Sequence, residues 1–316
     1  MRKVIFINIP HPVLQQQLEA AGYVCEHAVL EPKEVIEQRI GEYFGLVINS
    51  RFFLDKDFLE KATALRFIAR VGSGMESIDT VFAGQKGIQC FNSPEGNRDA
   101  VGEHTLGLLL GVMNHIPRSD RQVRNLQWLR EANRGTEIKG KTIGIIGYGN
   151  MGSAFARRLS GFEAEVIAYD KYRRAFTDQY AKECTLEDIF NTADIISFHV
   201  PLTAETHYYF DTAFIAQCKK PFWLLNASRG KVVNTTALVQ GLKEGKILGA
   251  GLDVLEYEDV SFDKMELNAL PQPLKDLFEY ENVVLTPHVA GWTAESKVKL
   301  AKVLAEKILT AFPWNN

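Results

Sequence analysis

With 316 residues, the chain is long enough to form two domains, each with a hydrophobic core of its own. Its 46% apolar and 24% charged residues are typical of a globular protein, and a net charge of −3 argues against nucleic acid or an anionic membrane as a partner. Cys25, Cys90, Cys184 and Cys218 lack metal-site spacing, no apolar run approaches the ~20 residues of a membrane span, and the apolar N-terminal run breaks at Pro10, so we predict a cytoplasmic protein without bound metal.

The first 96 residues alternate between apolar strands and amphipathic helices, but they contain no phosphate-binding loop. The predicted strands are Lys3–Ile9, Leu46–Asn49, Phe67–Val71 and Ile88–Phe91. The predicted helices begin at Pro12, Val35 and Asp57. The segment 92–97 is rich in turn-forming residues, and it marks the first expected domain boundary.

Two helices are predicted next, over Arg98–His115 and Arg118–Arg130. The first has an apolar face that includes Val101, Leu106 and Leu109. Such a face can be buried within the monomer or against a second subunit, and the pattern alone leaves both possibilities open.

A glycine-rich turn joins an apolar strand, Thr142–Ile146, to a helix that continues to Leu159. Its glycines have the G-x-G-x-x-G spacing, which permits a tight turn, close approach of a dinucleotide pyrophosphate and close packing of helix on sheet. The helix N-terminus adds N–H groups and a partial positive charge. The residues that we expect to face the cofactor here are Gly147, Gly149, Asn150, Met151 and Gly152.

Asp170 follows a second apolar strand, Glu165–Tyr169, at the distance expected for a carboxylate that binds a ribose 2′-hydroxyl. A carboxylate at this place would repel the 2′-phosphate of NADP, so NAD is the predicted cofactor. Arg173 and Arg174 follow closely and could weaken that preference. A glycine-rich turn in some other α/β protein is the alternative, but it does not explain the ordered set of strand, glycines, helix, strand and acid.

The alternation of strands and helices then continues, which predicts one parallel sheet covered on both faces. The further predicted strands lie at 194–198, 222–226, 249–254 and 283–286. The amphipathic helix Ala294–Phe312 is expected to return to the N-terminal domain. We therefore predict a dinucleotide-binding domain at 97–292 and a second domain formed by 1–96 and 293–316, with a cleft between them.

Polar side chains follow three of these strands, at the sheet edge where open α/β sheets bind ligands. Arg229 follows one strand, Asp253 and Glu258 belong to the next, and His288 follows the last. Each could be an ordinary structural residue, for example a buried histidine or a surface arginine. Together at one edge of a dinucleotide-binding sheet, they predict a catalytic site.

An arginine, a carboxylate and a histidine suit hydride transfer between a 2-hydroxy acid and nicotinamide. Histidine can exchange the proton because its unperturbed pKa is ~6.5, and a neighbouring carboxylate favours the imidazolium. The arginine can bind the substrate carboxylate through two parallel hydrogen bonds. The turn Gly72-Ser73-Gly74 could add backbone N–H donors to the same carboxylate.

Five segments, in order, resemble the D-isomer-specific 2-hydroxyacid dehydrogenases. They are GIIGYGNMG, HVPLT (His199–Thr203), NASRG (Asn226–Gly230), GAGLDV (Gly249–Val254) and TPHVAG (Thr286–Gly291). The resemblance implies two doubly wound parallel-sheet domains, a Rossmann domain and a smaller flavodoxin-like substrate domain. It also implies a homodimer and a small 2-hydroxy or 2-keto acid as substrate.

The resemblance further implies roles for individual residues. Arg229, Glu258 and His288 form the catalytic set, and Arg229 also binds the substrate. Ser73 and Gly74 bind the substrate carboxylate. The further cofactor contacts that the resemblance implies are His199, Pro201, Ala227 and Asp253, the last with the nicotinamide carboxamide.

Some features depart from the family pattern. Asp259 stands where the family often has proline, and the long stretch Val260–Tyr280 separates Glu258 from His288. Glu256 is therefore a second candidate for the catalytic glutamate. The formate dehydrogenases of the family carry glutamine where Glu258 stands, which argues against formate as the substrate.

Ser50-Arg51 is similar to a pattern in phosphoglycerate dehydrogenases, in which the arginine contacts the substrate phosphate. We therefore predict 3-phosphoglycerate as the substrate and Arg51 as a substrate-binding residue, although an ordinary surface arginine fits the same pattern. Reduction of glyoxylate or hydroxypyruvate is the alternative activity. A protein-binding module that senses NAD(H) without turnover is the alternative from another class, and the intact catalytic set argues against it.

Overall fold

The computed structural model describes residues 2–258 and 270–313, and the chain divides into two compact units. The smaller unit comprises 1–98 and 292–316, and the larger unit comprises 99–291. Each unit contains one sheet, and all the paired strands of both sheets are parallel. The predicted α/β fold with two parallel-sheet domains is confirmed.

The described residues form twelve strands and twelve α-helices, with short 3₁₀ turns at Ile40–Glu42 and Gly230–Val232. The strands are β1 (Lys3–Phe6), β2 (Val24–His27), β3 (Gly45–Ile48), β4 (Phe67–Arg70), β5 (Gln89–Phe91), β6 (Thr142–Ile146), β7 (Glu165–Tyr169), β8 (Lys182–Glu183), β9 (Ile195–Phe198), β10 (Phe222–Asn226), β11 (Ile247–Leu252) and β12 (Val283–Leu285). The helices are α1 (Val13–Ala20), α2 (Lys33–Arg39), α3 (Lys56–Lys61), α4 (Thr80–Gln85), α5 (Pro94–Met113), α6 (Ile116–Arg124), α7 (Asn150–Arg158), α8 (Leu186–Thr192), α9 (Thr212–Gln217), α10 (Thr235–Lys243), α11 (Gln272–Phe278) and α12 (Ala294–Ala311).

The sheet of the smaller unit has the strand order β2-β1-β3-β4-β5, which is the flavodoxin-like doubly wound order. Strand β3 is buried along its whole length, as expected for a parallel strand covered on both faces. Helix α12 packs on this sheet and buries Ala301, Leu304, Ala305 and Ile308. The C-terminal helix therefore shares a hydrophobic core with the N-terminal strands.

The sheet of the larger unit has the strand order β12-β11-β10-β9-β6-β7-β8. This is the Rossmann order with β6 as the first strand and β12 as an additional edge strand. The order reverses at β6, which pairs with β7 on one side and β9 on the other. The loops that follow these three strands meet at the switch point, where open α/β sheets bind their ligands.

Three strands of the larger unit, Thr142–Ile146, Glu165–Tyr169 and Phe222–Asn226, have the predicted bounds, whereas β2 and β8 were not predicted. Strand β2 reads VCEH and is partly exposed, and β8 has only two residues, so neither shows an apolar pattern. Helix α5 begins at Pro94 rather than Arg98, because proline is well suited to the first turn of a helix. In the described part of the chain, no helix combines the length and the apolar character that a membrane crossing needs.

Candidate active site

The glycine-rich turn follows β6 and leads into α7. Gly147 has a φ of +94°, and a Cβ on it would lie 2.5 Å from the carbonyl oxygen of His199. A Cβ on Gly152 would lie 2.0 Å from the carbonyl oxygen of Gly147. A Cβ on Gly149 would meet nothing within 4 Å. The outer glycines are therefore required by the turn itself, whereas the middle one borders open space at the N-terminus of α7.

Asp170 lies beside this turn. Its Oδ2 accepts a hydrogen bond of 2.9 Å from the backbone N–H of Tyr148, and its Oδ1 accepts from the N–H groups of Tyr172 and Arg173 at 2.9 and 3.0 Å. The guanidinium of Arg173 donates to the carbonyl of Tyr148, and that of Arg174 donates to the carbonyl of Asp170. Both arginines are thus bound to backbone carbonyls around the carboxylate that is predicted to bind the ribose.

His199, which follows β9, is buried behind the glycine-rich turn. Its Nε2 lies 2.8 Å from the Oγ of Ser197, and its ring packs on that of Phe155 at 5.5 Å. Among the described residues, its buried Nδ1 has no hydrogen-bond partner. Burial lowers the pKa of His199 to about 3, so the ring is neutral near pH 7. The predicted cofactor contacts of His199 and of the exposed Pro201 remain predictions.

The segment that carries Arg229 is held by Asn226, the last residue of β10, whose side chain is fully buried. The Oδ1 of Asn226 accepts hydrogen bonds from the N–H and hydroxyl of Ser228, and its Nδ2 donates to the carbonyl of Arg229. The guanidinium of Arg229 donates to the carbonyl of Ser228 at 2.6 Å. The Asn226 side chain therefore closes the turn at Ala227, a role that the sequence pattern did not indicate.

Glu258 and His288 face each other. The Nδ1 of His288 lies 3.2 Å from both carboxylate oxygens of Glu258, and the two side chains are 23% and 18% exposed. The backbone of His288 is left-handed, with a φ of +55°, and its N–H donates to the carbonyls of Asp253 and Thr286. The structure therefore brings together the carboxylate and the imidazole predicted to act together.

Glu256, the competing glutamate, faces other partners. Its Oε1 accepts a hydrogen bond of 2.5 Å from the hydroxyl of Tyr208, and its Oε2 accepts one of 2.8 Å from the N–H of Thr235. The residue is 9% exposed. Of the two glutamates, Glu258 is the one that faces His288, and its catalytic role remains a prediction. Asp259, the departure from the family pattern, lies outside the described residues.

Asp253 holds the loop that carries His288. Its buried carboxylate accepts hydrogen bonds from the Thr286 hydroxyl at 2.6 Å and from the N–H groups of Val289 and Ala290 at 2.9 and 2.8 Å. The Nε2 of His104 lies 3.4 Å from it. Burial alone would raise the pKa of Asp253, but these hydrogen bonds lower it below its ordinary value. The contact with the nicotinamide carboxamide remains a prediction.

His104 is the residue of this site that the sequence did not reveal. It lies on α5, and its Nε2 is 2.9 Å from the Oγ1 of Thr286. No motif marked it, because it lies 149 positions from Asp253 and occurs within a long helix of ordinary composition. Only the packing of α5 on the sheet of the larger unit reveals this contact.

In the smaller unit, Arg51 has backbone partners. Its guanidinium donates to the carbonyls of Ala28 at 2.8 Å, Glu31 at 2.6 Å and Ile7 at 3.4 Å. These bonds tie the segment after β3 to the segments after β1 and β2. The geometry therefore gives Arg51 a structural role, and its predicted contact with a substrate phosphate remains a prediction.

The predicted carboxylate-binding turn follows β4 in the smaller unit. Gly72 has a φ of +150°, and a Cβ on it would lie 1.6 Å from the guanidinium of Arg70. The Ser73 hydroxyl donates to Asn97 at 2.7 Å, and the Ser73 carbonyl accepts from Asn92 at 2.6 Å. Ser73 and Gly74 therefore lie in a turn fixed by neighbouring side chains, and their contact with substrate remains a prediction.

Known proteins are similar to this chain in sequence and in fold. The profile of the family "D-isomer specific 2-hydroxyacid dehydrogenase, NAD binding domain" matches residues 106–290. A glyoxylate reductase from Pyrococcus furiosus is 32% identical over 98% of the chain and 92% of its own length. A D-3-phosphoglycerate dehydrogenase from Bacillus subtilis is 32% identical over 86% of the chain but only 50% of its own length.

Solved structures agree with these sequence relatives. The structure of a D-lactate dehydrogenase from Aquifex aeolicus, complexed with NAD and lactic acid, superimposes with a TM-score of 0.81. It is 26% identical and covers 98% of this chain and 96% of that one. The chain therefore belongs to the family of D-isomer-specific 2-hydroxyacid dehydrogenases, NAD-dependent enzymes that act on the CH–OH group of their donors.

Proposed function

We propose that the chain reduces a small unphosphorylated 2-keto acid, glyoxylate or hydroxypyruvate, with NADH, and that Arg229, Glu258 and His288 carry the chemistry. The observation that carries this proposal is the pair formed by His288 and Glu258, whose atoms approach to 3.2 Å. A carboxylate beside one ring nitrogen stabilises the imidazolium. It also orients the ring so that the other nitrogen can exchange a proton with the substrate oxygen.

Each of the three residues then has a defined role. His288 donates its Nε2 proton to the keto oxygen during reduction and takes it back during oxidation. Glu258 holds the imidazole through Nδ1 and balances its positive charge. Arg229 binds the substrate carboxylate and stabilises the charge that develops on the substrate oxygen. Bound NADH supplies the hydride.

The cofactor fits the residues present in the larger unit. The open space above Gly149, at the N-terminus of α7, suits a pyrophosphate. Asn150 and Met151 begin that helix, and the carboxylate of Asp170 beside the turn suits a ribose hydroxyl. We assign the nicotinamide end to the loops after β10, β11 and β12, where Ala227, Asp253 and His288 lie.

Two observations favour an unphosphorylated substrate over 3-phosphoglycerate. Arg51, on which the phosphate pocket depended, is bound to three backbone carbonyls. The relative from Pyrococcus furiosus, which matches over nearly its whole length, is a glyoxylate reductase. Ser73 and Gly74 are proposed to bind the carboxylate that all these substrates share.

Rates with glyoxylate, hydroxypyruvate and 3-phosphohydroxypyruvate, each with NADH, test this proposal. We expect kcat/KM to be highest for an unphosphorylated acid. We also expect Arg51→Ala to lower Tm and to leave the preference between acids unchanged, because its guanidinium holds backbone carbonyls. A kcat/KM that is highest for the phosphorylated acid and falls selectively in Arg51→Ala would restore the phosphate pocket. NADH binding without turnover of any 2-keto acid would favour the sensing module.

We also propose that the protein is cytoplasmic and that it forms a homodimer through its larger unit. Large apolar side chains are exposed on α6 and just after it, which is costly unless they are covered. They are Ile116, Val123, Leu126, Trp128 and Leu129, of which Leu126 is 94% and Trp128 76% exposed. Light scattering should give twice the mass of the chain, and Leu126→Asp with Trp128→Asp should give the monomer mass. A monomeric wild type would refute the dimer.

A further inference from the structure

Glu256 connects the segment that carries Glu258 to two other segments of the larger unit. Its Oε2 accepts the N–H of Thr235, the first residue of α10. Its Oε1 accepts the hydroxyl of Tyr208, which precedes α9. Since Glu258 lies only two residues further along the chain, these bonds restrict where the Glu258 backbone can lie.

The same segment packs directly on the residue after Arg229. A Cβ on Gly230 would lie 1.8 Å from the carbonyl oxygen of Leu255 and 2.7 Å from the N of Glu256. The Leu255 carbonyl also accepts a hydrogen bond of 3.2 Å from the N–H of Glu258. The backbone beside Arg229 and the backbone before Glu258 are therefore in contact.

Tyr208 forms hydrogen bonds with both of these segments, the one that follows Arg229 and the one that precedes Glu258. Its hydroxyl donates to Glu256, and its N–H donates at 2.8 Å to the carbonyl of Lys231. Its φ of +51° is unfavourable for a tyrosine, so the surrounding bonds must hold it there. The hydrogen bond to Glu256 raises the pKa of Tyr208 to about 12, so the hydroxyl stays a donor at neutral pH.

A buried carboxylate is costly unless its oxygens accept hydrogen bonds, and each oxygen of Glu256 accepts one. It does not face His288, so it is not placed to share the proton. We propose that Glu256 is a positioning residue, which fixes Glu258 against His288 and both of them relative to Arg229. The inference rests on the proposed function, because it concerns the distance at which the proposed catalytic groups meet.

Replacement by alanine and by glutamine separates positioning from catalysis. Glu256→Ala removes both hydrogen bonds, whereas glutamine can accept from Thr235 through its oxygen and donate to the Tyr208 oxygen through its amide. We expect Glu256→Ala to lower kcat for glyoxylate reduction by roughly 10- to 100-fold, because small displacements of reacting groups have large effects on rate. Glu256→Gln should stay within about 3-fold of the wild type, because a positioning role needs the hydrogen bonds and not the charge.

Two further variants complete the experiment. Tyr208→Phe removes one of the two hydrogen bonds and should lower kcat by roughly 3- to 10-fold, which keeps the test available if Glu256→Ala does not fold. Glu244→Ala, an exposed glutamate after α10, is the matched control and should change neither kcat nor the NADH dissociation constant. In Glu256→Ala the NADH dissociation constant should change by less than about 3-fold, since the glycine-rich turn is not among its contacts.

The outcomes separate this inference from the proposed function. An active wild type with wild-type kcat in Glu256→Ala and Tyr208→Phe would overturn the positioning role and leave the function standing. Equal loss of kcat in Glu256→Gln and Glu256→Ala would show that the charge of Glu256 is required, which would contradict a role that depends on its hydrogen bonds alone. If the wild type turns over no 2-keto acid, the proposed function fails. In that case, crystal structures of the wild type and of Glu256→Ala test the positioning role. If Glu256 positions Glu258, then Glu258 and His288 separate beyond hydrogen-bond distance in Glu256→Ala. An unchanged distance of 3.2 Å between them would contradict the positioning role.

Discussion

Two regions at the same edge of the larger unit's sheet are built in different ways. The turn after β6 depends on missing side chains, because a Cβ on Gly147 or Gly152 would collide with a backbone carbonyl. The loops after β10, β11 and β12 depend instead on buried polar side chains, mainly Asn226, Glu256 and Asp253. A region proposed to bind a pyrophosphate needs exposed backbone N–H groups, whereas a region proposed to transfer a proton needs side chains held at fixed distances.

The largest expected effect follows from adding a methyl group to the glycine-rich turn. Gly152→Ala places a Cβ 2.0 Å from the Gly147 carbonyl, so α7 must shift, and we expect a lower Tm and NADH affinity reduced by ~100-fold or more. The Cβ of Gly149→Ala meets no protein atom within 4 Å, so we expect the Tm to stay unchanged. Only the affinity for NADH should become weaker. Calorimetry and fluorescence titration measure the two effects.

A control and a contradicting result complete this first test. Gly107→Ala, on α5, also meets no atom within 4 Å, so it should leave the NADH affinity unchanged and raise Tm slightly, because alanine is favoured over glycine inside a helix. If Gly149→Ala bound NADH as tightly as the wild type, the open space above the turn would not be the pyrophosphate site.

The second prediction concerns the buried carboxylates of the other region. Asp253→Asn puts an amide where Val289 and Ala290 point N–H groups, so one donor loses its acceptor, at a cost of about 1–3 kcal/mol in the free energy of unfolding. Because this loop carries His288, we expect kcat to fall by roughly 10- to 100-fold. Urea unfolding and steady-state kinetics measure both effects, with Asp120→Asn on the exposed face of α6 as the control. An unchanged kcat would show that the loop does not need Asp253.

The smallest expected effect concerns His199, which lies between the two regions. Burial lowers the pKa of His199 to about 3 in the folded protein, whereas a histidine in an unfolded chain has a pKa of 6.5. Between these values the unfolded state binds more protons, so stability is lost as the pH falls below 6.5. We expect His199→Gln to show a shallower loss of unfolding free energy between pH 6.5 and 4.5. His27→Gln, at an exposed position, should keep the wild-type dependence of unfolding free energy on pH. If both variants showed the same pH dependence, the burial of His199 would not be its cause.

The sequence predicted the first region better than the second for a physical reason. Glycine spacing and a strand-ending aspartate are local signals, and both lie where they were expected. Glu256 and Glu258 look alike in the sequence, and only the packing of α10 and Tyr208 shows that one is buried in hydrogen bonds while the other faces His288. The role of His104 likewise depends on a contact between residues distant in the chain.

The fold shows the same division. In the sheet of the larger unit, β6, β7 and β10 were predicted with the observed bounds, because burial leaves a continuous apolar run in the sequence. The edge strands β2 and β8 were missed, because an edge is partly solvated and its residues are of mixed polarity. The role predicted for Arg51 rested on the resemblance of Ser50-Arg51 to a pattern in phosphoglycerate dehydrogenases, whereas its carbonyl partners come from segments more distant in the sequence, after β1 and β2.

The rate of glyoxylate reduction by His288→Asn, measured beside its affinity for NADH, tests the central claim most directly. If the pair of His288 and Glu258 delivers the proton, kcat falls by on the order of 10²–10⁴ while the NADH dissociation constant stays at the wild-type value. A variant that reduces glyoxylate at the wild-type rate would contradict the account, because the proton would then come from another group.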